Sequence, residues 1–470
     1  MRLFEFLILA LNLIALLALN LPLRSGPGWF RFMPSVGVAI LLVHLVVEHY
    51  RWQMAPAYLL TGTFFLLTAP GLLKGTQRPP GNRALAILAG GLEVAGWIVA
   101  AALPILLPVP RLPAPPGPEA VGSVVYDWID PARDEAYSAD PGDKRELMVQ
   151  IWYPAEIPAG AQTMPVIDHW DAAGPAMAQF LNLPAFAVDH LSLVRTHTYA
   201  ETPVKQAGPP YPVVIYSHGY LGYRTASFSQ MEALASSGYI VVAIGHTYSA
   251  QFTIFSDGRA VLNTPAVLPP GDQQARETLE ATHAADIRFV MDQLEALNSG
   301  ALDSRFAGQL DLQRLGLAGI STGGGAIVWV CELDPRCQAG IAMDGWFEPL
   351  PETVVSESLR QPFLFMQSET KMWEGDNQAR LEGLYRGAGA DAYHLKLSGV
   401  LHYDFGDYPL VTPLTGLLQE RGSLNGARTV QMINAYLLAF FDRYLKDQPA
   451  PLLDGPSPDY PAAQIESRQP

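Results

Sequence analysis

The run LGLAGISTGGG, Leu315–Gly325, sets one serine among five glycines. Each glycine costs conformational entropy on folding, so a regular strand or helix gains nothing from so many. Within the run, Gly319-Ile320-Ser321-Thr322-Gly323 fits G-x-S-x-G. A short strand (Leu315–Ala318) is expected before it and a helix (Ala326–Glu332) after it. In that setting the turn is sharp and strained, and it lifts the serine hydroxyl above the end of a sheet. Side chains at the flanking positions would collide with nearby backbone, which accounts for the glycines. The amino terminus of the following helix favours developing negative charge beside the serine. A phosphate-binding loop is the other reading of such a run, but it needs a Lys-Ser or Lys-Thr pair that does not follow here. The chemistry indicated is nucleophilic acyl transfer from Ser321.

A serine hydroxyl is a weak nucleophile and needs a base, itself oriented by an acid. After such a turn the expected chain order is Ser, then Asp or Glu, then His. Of ten histidines, His394 and His402 follow Ser321. His394 lies inside the alternating stretch DAYHLKL, where a structural role is the simpler reading. His402 lies in the loop SGVLHYDF and is the better base. Two acids are open: Asp344, directly after the apolar run QAGIAM, and Glu369, after PFLFMQS. The oxyanion needs two backbone N–H donors. Thr322, next to the nucleophile, supplies one, and Tyr220 in the loop YSHGYLG supplies the other. His218 in that loop precedes the serine and reads as a loop-shaping residue.

These residues must be positioned by a scaffold. Apolar strand-like runs recur at Glu146–Pro154, Pro212–Gly219, Tyr239–His246, Leu315–Ala318, QAGIAM, PFLFMQS and AYHLKL. Helical patterns at Ser227–Ser237, Gln273–Leu297, NQARLEGLYRG and TVQMINAYLLAFFDRYLK fall between or after them. Short buried strands alternating with helices imply a mostly parallel sheet covered on both faces. In such sheets, sites form at the carboxyl ends of the strands. Residues Ala159–Gly208 contain short amphipathic pieces, AMAQFLNLPAF and AVDHLSLV, read either as a lid over the site or as ordinary packing on the sheet.

The chain has 470 residues, of which 49% are hydrophobic and 16% charged, a low charge density for a soluble protein. The first 113 residues carry eight Lys and Arg against three Asp and Glu, leaving 22 basic and 42 acidic residues beyond them. So acidic a remainder argues against nucleic acid as a partner. Four apolar stretches, Phe6–Leu23, Phe32–Val47, Met54–Leu73 and Ala84–Pro110, predict an all-α region with about four membrane spans over residues 1–110. The first is long for a signal peptide and lacks a small-x-small cleavage site before Arg24, which favours an uncleaved helix. Loop charges place Arg24, Arg31, Lys74, Arg78 and Arg83 on one side and Arg2, Arg51 and Arg111 on the other. That bias puts the remainder of the chain on the extracytoplasmic side of the bilayer. Glu93 and His44, inside the expected spans, read as helix–helix hydrogen-bond partners or as functional groups.

Seven prolines between Pro104 and Pro118 make an extended spacer, with 111–120 as the linker. A catalytic domain is expected over 121–448, then an irregular proline-rich tail over 449–470. Cys331 and Cys337 are six apart, and pairing them or leaving both as buried thiols are equally open readings. With no HExxH and no cysteine ligand set, neither a metal nor another cofactor is expected.

The stretches VQIWYPA, YPVVIYSHGYLGYRT, LASSGYIVVAIGHTYSA, GLAGISTGGG, AGIAMDGW and GVLHYDF occur in an order that resembles the α/β-hydrolase family of plasma-type platelet-activating factor acetylhydrolases and their bacterial relatives. Dienelactone hydrolase-like proteins are similar as well. The resemblance covers most of residues 145–410. It implies Ser321 as nucleophile, Asp344 rather than Glu369 as acid, His402 as base, and Tyr220 and Thr322 as oxyanion donors. Two positions depart from the family pattern: Ile320 where a histidine commonly precedes the serine, and Thr322 where a bulky residue commonly follows it. The family hydrolyses short or oxidised acyl chains at the second position of phospholipids without calcium. The resemblance therefore implies a serine carboxylic-ester hydrolase acting on a small-molecule or lipid ester, while the expected spans, which lie outside the family core, add the membrane bilayer as a partner. Another acyl-transfer enzyme on the same residues (peptidase, thioesterase, transacylase or polyesterase-like) is the alternative. A membrane sensor with a dead hydrolase domain fits less well, because it has no need of Ser321, Asp344 and His402 in this order.

Overall fold

In a computed structural model, residues 1–20, 32–74, 83–206, 208–417 and 421–469 are described. The chain divides into two compact units. The first comprises residues 1–110 with Phe186–Leu193 and Val411–Leu414, and the second the rest.

The first unit contains α1 (Leu3–Asn20), α2 (Met33–Val47), α3 (Ala55–Lys74) and α4 (Arg83–Leu106). Among the described residues, two segments, Leu3–Asn20 and Ile87–Leu106, are long and apolar enough to cross a membrane. The helix Met33–Val47 is apolar but only 15 residues long, short of the roughly 20 that a span needs. Arg24, Arg31 and Arg78, on which the charge bias partly rests, lie outside the described residues. Several polar groups between these helices are paired. Arg51 grips the buried Glu5 with two bonds of 2.7 and 2.9 Å. His44 bonds the Tyr58 hydroxyl at 2.6 Å, and Asn20 donates to Glu93 at 2.8 Å. His44 and Glu93 thus serve as hydrogen-bond partners between helices.

The second unit is built on one eleven-stranded sheet. Its strands are β1 (Val121–Asp134), β2 (Lys144–Pro154), β3 (Thr163–Pro165), β4 (Arg195–Ala200), β5 (Tyr211–Ser217), β6 (Ile240–Gly245), β9 (Leu310–Ile320), β10 (Ala339–Met343), β11 (Phe363–Gln367), β12 (Ala392–Leu397) and β13 (Ala463–Arg468). A small hairpin of β7 (Phe252–Ile254) and β8 (Ala260–Leu262) stands apart. The helices are α5 (Trp170–Phe180), α6 (Phe228–Ser236), α7 (Gln273–Asn298), α8 (Thr322–Leu333), α9 (Glu352–Ser356), α10 (Asp376–Gly387), α11 (Tyr408–Val411), α12 (Leu414–Leu417) and α13 (Gly426–Lys446).

The order across the sheet is β13-β12-β11-β10-β9-β5-β6-β2-β1-β4-β3. The six central strands, β6 to β12, run parallel. Strands such as β5 and β6 are buried on both faces, which explains why they read as unbroken apolar runs. One face packs Ile287, Val290 and Leu294 of α7 and Ile327 and Val330 of α8. The other packs Phe228 and Met231 of α6 and Ile433, Leu437, Phe440 and Phe441 of α13. Each such fully buried side chain contributes about 1.5–3 kcal/mol. Asn425 caps α13 by accepting the Arg428 N–H at 3.2 Å, and Asp272 caps α7 through the Ala275 N–H at 3.0 Å.

Two expectations change. The tail read as irregular supplies β13, which pairs antiparallel along the whole of β12. The segment read as a lid or as packing supplies β3 and β4, which extend the sheet at its far edge through β1.

Candidate active site

Register brings four loop starts side by side. Ser217 at the end of β5 pairs with Gly319, Ile320 at the end of β9 pairs with Met343, and Met343 at the end of β10 pairs with Met366. The residues that follow are therefore neighbours at the carboxyl edge: His218–Leu221, Ser321, Asp344 and Ser368.

Ser321 sits at φ 56° and ψ −122°, a left-handed backbone that non-glycine residues rarely adopt. Its N–H donates to Met343 O at 3.1 Å, and its carbonyl accepts the Trp346 N–H at 2.9 Å. The glycines are needed by close approach. A Cβ on Gly319 would lie 2.3 Å from Gly323 O, and one on Gly323 would lie 2.1 Å from Ser217 O. The helix α8 begins immediately after Ser321.

Asp344 is also left-handed, at φ 48°, and almost wholly buried. Four donors converge on its carboxylate. Ser368 donates its N–H to Oδ1 and its hydroxyl to Oδ2, each at 2.9 Å. Trp373 donates its indole N–H to Oδ2 at 3.0 Å, and His402 Nδ1 bonds the same oxygen at 2.7 Å. The Trp373 ring meets the His402 ring edge-on with centroids 5.2 Å apart. With Nδ1 donating to Asp344, Nε2 of His402 is left as the acceptor.

The loop after β5 comes against the serine: a Cβ on Gly219 would lie 2.7 Å from Ser321 Cβ. The Tyr220 N–H donates to Thr322 Oγ1 at 3.4 Å. Behind this loop runs a buried polar chain. His218 Nδ1 donates to Gly219 O at 2.8 Å, and its Nε2 accepts the His246 N–H at 3.1 Å. Burial pushes the His218 imidazole down to about 3, so it holds the loop as a neutral ring. His246 bonds Asp286 at 2.8 Å and Ser217 Oγ at 2.9 Å. Burial opposes ionisation of Asp286, but Arg145, forked onto it at 2.6 and 3.1 Å, holds its carboxyl well below the usual range.

The other titratable residues go elsewhere. Glu369 accepts the Gly399 N–H at 2.9 Å and shapes the loop before His402. His394 bonds Gln367 at 2.7 Å, and burial pushes it down to about 4. Ser368 and Trp373, absent from the sequence-level set, are direct partners of Asp344. Ser368 follows a strand end and was legible by that rule, whereas nothing local marks Trp373. Cys331 of α8 and Cys337 form a disulfide, Cα atoms 5.1 Å apart.

An aromatic group borders the site. Trp346, one residue beyond Gly345, packs with Val267 and Leu279, and Tyr137, Tyr220, Tyr248 and Trp373 lie against them.

The family model described as platelet-activating factor acetylhydrolase, isoform II, matches residues 111–450. A platelet-activating factor acetylhydrolase of Cavia porcellus is 27% identical over 264 residues, 52% of this chain and 59% of that protein. One of Canis lupus familiaris is 24% identical, over 51% of this chain and 58% of its own length. The chain thus spans less than two thirds of these relatives. A solved ferulic acid esterase from Streptomyces cinnamoneus superposes with a TM-score of 0.64 at 28% identity, covering 76% of this chain and 99% of that one. With the matched region taking in the whole carboxyl edge of the sheet, the chain belongs to the platelet-activating factor acetylhydrolase, isoform II, family.

Proposed function

We propose that this chain is a serine carboxylic-ester hydrolase in which Ser321, Asp344 and His402 form the catalytic triad. The observation that carries this reading is the 2.7 Å bond between His402 Nδ1 and the buried Asp344, beside a serine held in left-handed backbone ahead of a helix. His402 Nε2 takes the Ser321 proton, and Oγ attacks the ester carbonyl. The oxyanion lies against the N–H groups of Thr322 and Tyr220, taking over the donor that Thr322 Oγ1 holds at rest. The alcohol leaves with the proton from His402. Water, deprotonated by the same ring, then releases the acid and restores Ser321.

The relatives' names favour platelet-activating factor, or a 1-alkyl-2-acetylglycerophosphocholine, as substrate. The aromatic border of Tyr220, Trp346 and Trp373 favours a second reading, an aryl carboxylic ester, in line with the ferulic acid esterase likeness. Hydrolysis of an ester panel separates them: a series graded by acyl length, a phospholipid with a short second-position chain, and a cinnamate-type ester. Wild type and Ser321→Ala run side by side in detergent. Ser321-dependent turnover peaking on the phospholipid supports the first reading, and peaking on the aryl ester supports the second. A Ser321→Ala variant as active as wild type overturns the triad.

The helices of the first unit are read as the membrane anchor. Val46, Leu59, Leu66 and Ile87 are each more than two-thirds exposed, which suits lipid better than water. The disulfide fits an extracytoplasmic catalytic unit. Release of the chain from membranes by alkaline carbonate would overturn the anchor.

A further inference from the structure

The base and one oxyanion donor sit on loops nearly two hundred residues apart in the chain. Something must keep them in register, because a displacement of about 1 Å at a reacting group can cost on the order of a hundredfold in rate. The structure concentrates its bonds between these loops at one place, five residues after His402.

There Asp407 meets the first turn of α6, which follows the Tyr220 loop. The Ser229 N–H donates to Asp407 Oδ2 at 3.0 Å, and the Ser229 hydroxyl bonds Oδ1. The Asp407 N–H donates to Ala226 O at 2.9 Å. Gln230 Nε2 donates to Phe405 O at 2.6 Å. Gly406 passes so near that a Cβ there would come within 2.9 Å of Ala226 O. Ser227 is in turn bonded to the Tyr216 hydroxyl at 2.6 Å, which fixes this turn to β5.

We propose that Asp407 is a positioning residue. It holds Ser229 with both carboxyl oxygens and Ala226 through its backbone, so that the His402 loop and the Tyr220 loop keep one relative geometry. The proposal rests on the reading of Ser321 and His402 given above. Asp407 touches no reacting atom in that mechanism and acts through the two loops.

The chemistry of the joint is specific. Burial, and then the Glu232 carboxylate on α6, push Asp407 up to about 7, while the bonds from Ser229 oppose the rise. The Tyr216 and Tyr223 phenols face it as well, each pushed up by burial. As a carboxylate, Asp407 accepts both Ser229 donors. As a carboxylic acid, it accepts the N–H with one oxygen and donates its O–H to the serine hydroxyl. Asparagine has the same shape and one acceptor plus one donor, so it can replace the acid form. Alanine cannot.

The test uses the full chain in detergent, with wild type, Asp407→Ala, Asp407→Asn and Ser229→Ala. Turnover of a soluble short-chain ester is read together with amide hydrogen exchange over residues 218–227 and 402–407. Asp407→Ala is expected to lower kcat by about tenfold or more with KM within about twofold, and to speed exchange in both segments. Asp407→Asn is expected to restore kcat to within about threefold of wild type. Ser229→Ala should speed exchange in residues 402–407, a segment it belongs to only through this joint. A folded Asp407→Ala with wild-type kcat or wild-type exchange overturns the proposal. Should Asp407→Ala not fold, Ser229→Ala decides alone, and unchanged exchange in 402–407 overturns it. A wild type without esterase activity, whose variants still loosen both segments, would sink the hydrolase reading while the joint stands.

Discussion

Trp373 donates its indole N–H to Asp344 Oδ2 at 3.0 Å, the same oxygen that holds His402. One carboxylate oxygen therefore fixes both the imidazole and the ring that abuts its edge. Removing the indole donor leaves the carboxylate with three donors, two of them from Ser368, and the imidazole without its neighbour's restraint. Trp373→Phe keeps the apolar ring and loses the N–H. It is expected to lower kcat about tenfold to a hundredfold, the range for a bond to a charged group, with KM little changed. Asp344→Asn, which disturbs the tautomer as well, should cost about a thousandfold or more. Steady-state kinetics on one soluble ester ranks the two. Trp373→Phe at wild-type kcat would remove the indole from the positioning of His402.

The turn around Ser321 makes a second expectation. Gly323 lies against Ser217 O so closely that a methyl group would sit 2.1 Å away. The obstacle is backbone of the adjacent strand, which cannot rotate aside. Gly323→Ala must push β5 from β9 or reshape the turn, and with it the Thr322 N–H. It is expected to lower the melting temperature and to abolish labelling of Ser321 by a fluorophosphonate. Ser321→Ala, by contrast, should melt near wild type and lose labelling alone. Differential scanning fluorimetry and gel labelling separate the two. Labelled Gly323→Ala at full stability would contradict the close-approach argument.

How the sequence exposes the site follows from the same geometry. Ser321 and Asp344 come immediately after apolar runs, and His402 follows the next but one. Parallel strands put all such positions on one edge, so reading the ends of runs selects residues that are neighbours there. Choosing Asp344 over Glu369 was different: both follow strands, and only the family resemblance separated them. The structure gives Glu369 a bond to Gly399 instead. Trp373 is beyond local pattern, because its role depends on where a loop folds back. The edge strands were missed for a related reason. In AQIESR, β13 alternates buried and exposed positions weakly and carries charge, and its stability comes from pairing with β12. The long β1 contains Pro131 and several acids, and it is defined by its ladder to β2 rather than by its own composition. Of the four expected spans, two coincide with described segments long and apolar enough to cross a membrane.

The Cys331–Cys337 disulfide joins α8, the helix that begins directly after Ser321, to the turn that leads into β10 and Asp344. The loop it closes is short, so its effect on the unfolded chain lies at the low end of the usual range, about 2 kcal/mol. Cys331→Ala with Cys337→Ala, or reduction of the wild type, is expected to lower the melting temperature by a few degrees. Activity at 25 °C should fall less than twofold, since neither cysteine touches Ser321 or Asp344. Mass shift after alkylation reports the redox state in the same sample. An unchanged melting temperature on full reduction would mean that the covalent link adds nothing to the packing already present.

Two buried carboxyl groups are expected to give the second unit a stability that declines toward neutral pH. Glu280 on α7 is fully buried, neither oxygen has a hydrogen-bond partner, and burial raises it well above the ordinary carboxyl value. Asp407 is pushed up to about 7. In the unfolded chain both titrate near the ordinary value of about 4. Between those limits the folded state keeps protons that the unfolded state has released. The unfolded state therefore binds fewer protons, and stability falls as pH rises through this window. The sign is opposite to that of an ion-paired acid such as Asp286, which stabilises above its unfolded value and is lost as pH falls. Melting temperatures of wild type, Glu280→Gln, Asp407→Asn and the double variant at pH 5 and pH 7.5 test this. Wild type should lose more on going from 5 to 7.5 than either variant, and the double variant should lose least. Equal losses in all four would show that neither carboxyl holds a proton in the folded protein across that range.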